Sequence, residues 1–213
     1  VTPEDKLNPY CYAPDNVELT CVDLPLAFPG DLQDAYDNDF AATSLMMDAI
    51  FGGATGTDNC AVDTIVERTP NIQVNECGWG TITRRFEVWQ LRPEGDENNN
   101  GQIDINEVFR STNSCSQLIV ITEVHDFEID FPEDADANCG DPDVPTIITT
   151  TDGCDVLSVN IGEPVRFSAT GDECYKMSIT YDVINWCLWD GEYTGYVIPR
   201  MTEDDGEALP IDH

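Results

Sequence analysis

Hydrophobic and polar side chains alternate along much of this chain. In residues 81–89, for example, Ile82, Phe86 and Val88 are separated by polar side chains, and residues 117–124 and 144–150 are rich in β-branched types. Short segments of this kind, bounded by Gly, Pro, Asp and Asn, are typical of strands in antiparallel sandwiches. A single helix is predicted over residues 43–51, ended by Gly52 and Gly53. The pattern therefore predicts an all-β fold with few helices.

Two stretches of the chain carry nearly the same sequence. A Trp follows twelve residues after a Cys in both, at Trp89 after Cys77 (89 − 77) and at Trp186 after Cys174 (186 − 174). Upstream, residues 57–60 resemble 151–154, and residues 14–21 resemble 132–139. Such self-similarity indicates a tandem array of one module, and arrays commonly serve as spacers, filaments or binding surfaces.

The repeat divides the chain into three predicted parts. Residues 1–13 are a connector from a preceding module, and residues 14–123 are the first module. Residues 124–213 are a second module, which lacks a clear closing strand after Trp189. With no visible signal peptide, the sequence is interpreted as an internal fragment of a longer secreted protein.

The charge of the chain is strongly negative. Its 42 acidic residues outnumber 9 basic ones, giving a net charge of −33. This excess argues against nucleic acid and anionic membranes as partners, and the longest aliphatic run, at 118–121, is too short to span a bilayer. It suits an extracellular protein in salt water, where the Debye length falls to a few Å. The predicted partners are neighbouring modules of the same polypeptide and other copies in an oligomer or filament.

Nine cysteines in a chain with few lysines indicate an oxidising compartment. The sequence has no Cys-x-x-Cys and lacks the usual zinc spacings, so disulfides are favoured over a metal site. Aligning the repeats suggests the pairs Cys21–Cys60, Cys77–Cys115, Cys139–Cys154 and Cys174–Cys187. Cys11 is then left over, for a bond to the preceding module.

The most specific motif is the twelve-residue segment 96–107, which has the spacing of a calcium loop. A hard cation such as Ca²⁺ needs six or seven oxygens around one point. Gly101 stands at the turn and Ile103 at the apolar position of the pattern. Six residues would supply the oxygen ligands: Asp96, Asn98, Asn100, Gln102, Asp104 and Glu107.

The flanks of this loop predict strands instead of the usual helices. One strand ends near Trp89–Leu91 and another begins near Val108–Arg110, so the loop is expected at the tip of a hairpin. With two neutral Asn ligands, its Kd for calcium should be about 10⁻⁴–10⁻³ M, in the range of extracellular modules. Such an affinity suits rigidity better than signalling.

Catalytic patterns find little support in the sequence. His125 is the only internal histidine, and no nucleophile elbow, phosphate loop or zinc-protease motif accompanies it. We interpret His125 as structural and predict that the chain is not an enzyme.

The sequence also resembles a known family. Five stretches carry the resemblance: residues 4–11, 54–60, 75–86, 131–132 and the phrase Val-Ile-Asn-Trp-Cys at 183–187. They are similar to the hyalin-repeat, immunoglobulin-like modules of giant surface adhesins of Bacteroidota, exported by the type IX system, over most of residues 1–190. The resemblance implies immunoglobulin-like sandwiches in line, a cell-surface location, and roles in attachment, gliding or extracellular filaments and hooks.

These observations lead to two expected functions. The first is a structural and adhesive segment of a large secreted surface or filament protein, stiffened by calcium. The alternative is a carbohydrate-binding module whose exposed aromatic residues, Trp189 with Tyr193 and Tyr196, hold polysaccharide.

Overall fold

The computed structural model of the chain describes residues 7–27, 30–59, 62–92, 104–113, 115–132, 144–168 and 174–192. Strands dominate these residues, which confirms the all-β prediction at the level of fold class. The chain divides into two compact units, Val1–Thr122 and Glu123–His213, here called unit 1 and unit 2. The sequence placed the module boundary one residue later, between Glu123 and Val124.

Unit 1 contains both helices and strands. Its elements in chain order are β1 (Tyr10–Tyr12), β2 (Val17–Thr20), α1 (Asp23–Ala27), α2 (Leu32–Asn38), α3 (Phe40–Phe51), β3 (Thr55–Thr57), β4 (Thr64–Val74), β5 (Gly80–Leu91), β6 (Val108–Arg110) and β7 (Ser116–Thr122).

Five of the strands form the main sheet of unit 1, in the order β2-β7-β5-β4, with β6 also paired to β5. The long strand β5 runs antiparallel to β4, β6 and β7. The edge strand β2 runs parallel to β7, with Val17 opposite Ile119 and Thr20 opposite Thr122. This parallel pair departs from the antiparallel arrangement that the sequence predicted.

One face of the main sheet is buried, and the alternation of apolar and polar residues along the strands determines which side chains lie on it. Ile82, Phe86 and Val88 of β5 point to this face, as predicted, and all are at most 5% exposed. Ile119 and Ile121 of β7 lie on the same face. Each buried aliphatic or aromatic side chain of this size contributes about 1.5–3 kcal/mol to the free energy of unfolding.

Short helices cover part of the buried face. Helix α3 contains the predicted segment 43–51 and begins one turn earlier, because the Asp39 carboxylate accepts a hydrogen bond from the Ala42 N–H as its N-cap. Gly52 ends it with φ = 89°, a conformation that favours glycine. Helix α2, which the sequence did not predict, is capped in the same way by Asp31 and buries Leu32 and Tyr36.

A second, two-stranded sheet also lies on the buried face. Strand β1 pairs antiparallel with β3, and Cys11 of β1 packs in one cluster with Phe86, Val88 and Cys115. A Cβ at Gly56 of β3 would lie 2.7 Å from the methyl groups of Val88, so only glycine permits this close approach.

A disulfide between Cys11 and Cys115 joins this small sheet to the main sheet. The predicted pair Cys77–Cys115 is therefore wrong, as is the prediction that Cys11 is left over. The predicted connector 1–13 includes strand β1, which belongs to unit 1.

The other described cysteines, Cys21, Cys77, Cys154, Cys174 and Cys187, are also disulfide-bonded. Two of the predicted pairs, Cys21–Cys60 and Cys139–Cys154, involve residues 60 and 139, which lie outside the described residues. Disulfide bonding itself, predicted from the cysteine content, is confirmed.

Unit 2 is built from antiparallel strand pairs. Its strands are β8 (Phe127–Asp130), β9 (Ile148–Thr151), β10 (Leu157–Ile161), β11 (Val165–Phe167), β12 (Lys176–Ser178) and β13 (Tyr181–Asn185). The pairs are β8 with β9, β10 with β13 and β11 with β12. Among its described residues only Ile129 and Asp155 are buried, each being 8% exposed.

Candidate functional site

The acidic loop predicted to bind calcium is carried by a β-hairpin of unit 1. Strand β5 ends at Leu91, and β6 begins opposite it at Val108, in the antiparallel register Leu91 to Val108 and Trp89 to Arg110. Across the base of the hairpin, the Arg92 N–H donates to the Glu107 carbonyl oxygen at 2.8 Å. The two strands predicted at the flanks are thus confirmed, and they pair with each other.

Two of the six predicted ligands belong to the described residues. The Glu107 N–H donates to the Asp104 carbonyl oxygen at 2.9 Å, and the Asp104 N–H donates to Glu107 Oε2 at 3.0 Å. Glu107 is only 3% exposed, so its carboxylate is held at the base of the loop. Asp96, Asn98, Asn100 and Gln102 lie outside the described residues.

The chemistry of this donor set fits a hard cation. Asp104 and Glu107 lie within one tight turn, and carboxylate oxygens are the ligands that a hard cation such as Ca²⁺ takes. Within the described ranges, no group of three or more His, Cys, Asp or Glu side chains is gathered as for a metal ion. The calcium site therefore stays a prediction that rests on the spacing of residues 96–107.

A buried ionic cluster lies under the helices of unit 1, around Arg84, for which the sequence predicted only that it offsets local acidity together with Arg85. The Arg84 side chain is fully buried and donates to both oxygens of Glu67, at 2.8 Å each. It also donates to Asp48 Oδ1 at 2.6 Å and to the Gly52 carbonyl oxygen at 3.0 Å. Strands β4 and β5 and helix α3 are held together at this one guanidinium.

The neighbours of this cluster complete its hydrogen bonding. The Tyr36 hydroxyl donates to Glu67 Oε1 at 3.1 Å, and Gln117 Oε1 accepts from Arg84 at 3.1 Å. Burial and the negative charge of Glu67 raise the pKa of Tyr36, so that its phenol stays neutral. Burial alone would lower the pKa of Arg84, but its hydrogen bonds with Glu67 and Asp48 outweigh that effect and raise it. The cluster is thus a satisfied ionic network.

The sequence contained the signal for this cluster. The alternation that puts Ile82, Phe86 and Val88 on the buried face puts Arg84 there as well, because all four are an even number of residues apart. A buried arginine requires carboxylate partners. Its neighbour Arg85 points to the other face and is exposed.

A second polar cluster lies at the start of unit 2, around His125. Its Nδ1 is 2.6 Å from Asp155 Oδ1, and its Nε2 is 3.4 Å from Glu123 Oε2. The buried Asp155 also accepts from the Asn185 side-chain amide at 2.7 Å and from the Asp126 N–H at 3.0 Å. His125 precedes β8, where the sequence placed it, and Asp155 links this segment to Asn185 of β13.

This cluster should make unit 2 sensitive to pH. The hydrogen bond with Asp155 raises the pKa of His125 above 6.5. Burial would raise the pKa of Asp155, but hydrogen bonds from Asn185, His125 and Asp126 lower it below 3.8. The contribution of His125 to the stability of unit 2 is complete below pH 6.5, and it is lost as the pH rises through the raised pKa of His125. The contribution of Asp155 to this stability is present above pH 3.8, and it is lost as the pH falls through the lowered pKa of Asp155.

We therefore expect His125→Gln to lower the melting temperature of unit 2 most between pH 3.8 and pH 6.5. The difference from the wild type should shrink at higher pH, where the wild-type imidazole is neutral. Thermal unfolding followed from about pH 4 to about pH 9 would measure it. A difference that stays constant over this range would contradict an ionic role for His125.

Two exposed aromatic residues lie together near the end of the described part of unit 2. Trp186 and Trp189 are 46% and 51% exposed, and their rings meet edge to face with centroids 5.3 Å apart. Trp189 was expected to act with Tyr193 and Tyr196, which lie outside the described residues. The described neighbour of Trp189 is Trp186.

Comparisons with known proteins complete the description of the chain. None of the described helices has the length and apolarity needed to cross a membrane. No protein-family model, curated protein or solved structure matches the chain.

Proposed function

We propose that this chain is a structural and adhesive segment of a large secreted surface or filament protein, in which calcium closes and stiffens the β5–β6 hairpin. The observation that carries the calcium part is the position of Glu107. The last residue of the twelve-residue pattern is buried at the base of the hairpin and hydrogen-bonded to Asp104, another member of the pattern. A carboxylate so placed can close the loop on an ion.

Other features support the structural part of the proposal. The sequence repeats itself, the chain divides into two compact units, and disulfides occur in both. Disulfide bonding indicates an oxidising, extracellular type of environment. Attachment at a cell surface after type IX export belongs to the same proposal and rests on the family resemblance.

The immunoglobulin-like relationship is also part of the proposal. The small β1–β3 sheet lies over Val88 on the buried face of the main sheet, and the Cys11–Cys115 bond connects the two layers. Two sheets packed face to face and joined by a disulfide are features of immunoglobulin sandwiches. The parallel β2–β7 pair and the helices α2 and α3 are additions to that plan.

Calcium should stabilise unit 1 through the Glu107 loop. Without an ion, the carboxylates that the loop pattern would bring together, those of Asp96, Asp104 and Glu107, should repel one another. With about 10 mM calcium and a Kd of about 10⁻⁴ M, binding to the folded state alone contributes roughly 2.7 kcal/mol. Glu107→Gln should remove most of this gain, measured as the rise in melting temperature on adding calcium. It should leave the melting temperature in EDTA nearly unchanged.

Glu18→Gln is the matched control for this experiment, because Glu18 is exposed on β2 and lies outside the loop. It should retain the full response to calcium. If EDTA shifts the wild type and Glu107→Gln equally, or shifts neither, then the loop is only a polar turn.

A carbohydrate-binding module is the second candidate, and the Trp186–Trp189 pair favours it. Exposed aromatic rings supply large, rigid apolar surfaces to a ligand at low cost in conformational entropy. Binding to a glycan array that Trp189→Ala abolishes would support this candidate, and an array without hits would remove it.

A further inference from the structure

The N-terminal segment of unit 1 runs beside its last strand along its whole length. The Cys11 N–H donates to Asn113 Oδ1 at 3.0 Å, the Asp15 carbonyl oxygen accepts from Gln117 at 2.8 Å, and Asn16 Oδ1 accepts from the Leu118 N–H at 2.8 Å. The β2–β7 ladder then continues to Thr20 opposite Thr122. The sequence offset is 102 in the three hydrogen bonds as in the ladder, so the two segments are parallel throughout.

The Cys11–Cys115 bond connects these two segments at one end. Cys11 lies at the end where the chain enters unit 1, and Cys115 directly precedes β7, whose far end at Thr122 leads into unit 2. The bond closes a loop with a sequence separation of 104. The covalent route from Cys11 to Thr122 therefore needs only the disulfide and the seven residues of β7.

We infer that this disulfide carries tension past the body of unit 1, so that the unit transmits pulling force along β7 without unfolding. This deepens the proposed function, because a segment of an adhesin or filament is pulled at its two ends. Force that arrives at Cys11 passes through the sulfur bridge to Cys115 and leaves at Thr122. The helices, β4, β5 and the acidic hairpin all lie within the closed loop and are not stretched.

Strand β7 suits this role because it is already extended. A strand rises about 3.3–3.4 Å per residue, close to the maximum of about 3.3–3.6 Å for a fully extended chain. Pulling on both ends of β7 therefore gains almost no length. Its neighbours β2 and β5 hold it on both edges, and Ile119 and Ile121 are buried beneath it.

Without the disulfide, the same pull would act on the segment from Cys11 to Thr20 and on β7 in opposite directions. Because the two segments are parallel and loaded at opposite ends, their hydrogen bonds would be sheared together. Once they separate, up to 104 residues are free to extend, a length on the order of 350 Å.

The test is single-molecule stretching of the full 213-residue chain, held at both ends, with and without reductant. In oxidising buffer the wild type should show unfolding steps of unit 2 only. The variant Cys11→Ala/Cys115→Ala should show an additional step in the same buffer. That step should be shorter than about 350 Å, because the disulfides of Cys21 and Cys77 remain. In reductant, unfolding of unit 1 should lengthen both the wild type and the double variant by the full length of the unfolded segment.

Two further measurements keep the test decisive. Wild-type chains held under constant force should lengthen by the unit 1 step only after reductant is added, which does not depend on the variant folding. Cys187→Ala, in unit 2, should change the steps of unit 2 and leave unit 1 shielded. A unit 1 step in the oxidised wild type, or no lengthening of the held wild-type chains after reductant is added, would overturn the inference.

Calcium separates this inference from the proposed function. In oxidising buffer, EDTA should leave the extension of the wild type unchanged even where it lowers the melting temperature, because the hairpin lies inside the closed loop. A calcium response of Glu107→Gln equal to that of the wild type, or no response in either, would remove the proposed role of calcium and leave the tension route intact.

Discussion

Loss of the Cys11–Cys115 bond is expected to lower the free energy of unfolding of unit 1 by about 4–5 kcal/mol. The bond closes a loop of 104 residues, and the chain-entropy description assigns about 4.7 kcal/mol to a loop near this length. A domain of this kind has a total stability of about 5–15 kcal/mol. The variant Cys11→Ala/Cys115→Ala should therefore be marginally folded at room temperature.

Single replacements provide the internal control. Cys11→Ala and Cys115→Ala each break the same bond, so each should cost nearly as much as the double variant, and the costs should not add. Urea unfolding followed by amide hydrogen exchange of β5 and β7 would report unit 1 separately from unit 2. A loss below about 1 kcal/mol for Cys11→Ala, with a large loss for Cys115→Ala, would indicate that Cys115 has another partner.

The comparison of repeats could not have found this bond. Aligning the repeats suggests pairs only among cysteines that have counterparts in both repeats. Cys11 precedes the repeated region, so the alignment gives it no partner. What brings Cys11 to Cys115 is the parallel alignment of the N-terminal segment with β7. Such pairing depends on chain segments about a hundred residues apart, which local alternation does not encode.

Features with a local cause were predicted well. The core face of β5, the segment of α3 and the base of the acidic hairpin each follow from residues close in sequence. Alternation fixes which side chains point inward, and Gly52 fixes where α3 ends. The spacing that predicts the calcium loop is local as well, and its test is the response of Glu107→Gln to calcium.

The surroundings of Arg84 depend both on local sequence and on residues distant in the chain. Its inward direction follows from its position in β5, but its partners come from elsewhere: Glu67 is 17 residues away on β4, and Asp48 is 36 residues away on α3. Read alone, the pair Arg84–Arg85 in an acidic chain indicates only local charge compensation. The fold gives the two arginines opposite surroundings, one buried and one exposed.

Replacing Arg84 by Met is expected to destabilise unit 1 by about 3–5 kcal/mol, the usual cost of removing one partner from a buried ion pair. Methionine fills part of the space and can pack against Phe86, over whose ring the guanidinium now lies at 4.8 Å. It cannot compensate the charge of Glu67, whose side chain is 2% exposed and would lose its ionic partner. The Gly52 carbonyl oxygen at the end of α3 would also lose its contact with Arg84.

Arg85→Met is the matched control, since it makes the same chemical change one residue further along, on the exposed face. It should alter the stability by no more than about 0.5 kcal/mol. Amide exchange in α3 and β4 should accelerate in Arg84→Met, because Arg84 joins these elements through Asp48 and Glu67. If the two variants unfold alike, the buried cluster does not hold the helices to the sheet, and apolar packing by residues such as Met47 and Tyr36 must account for their attachment.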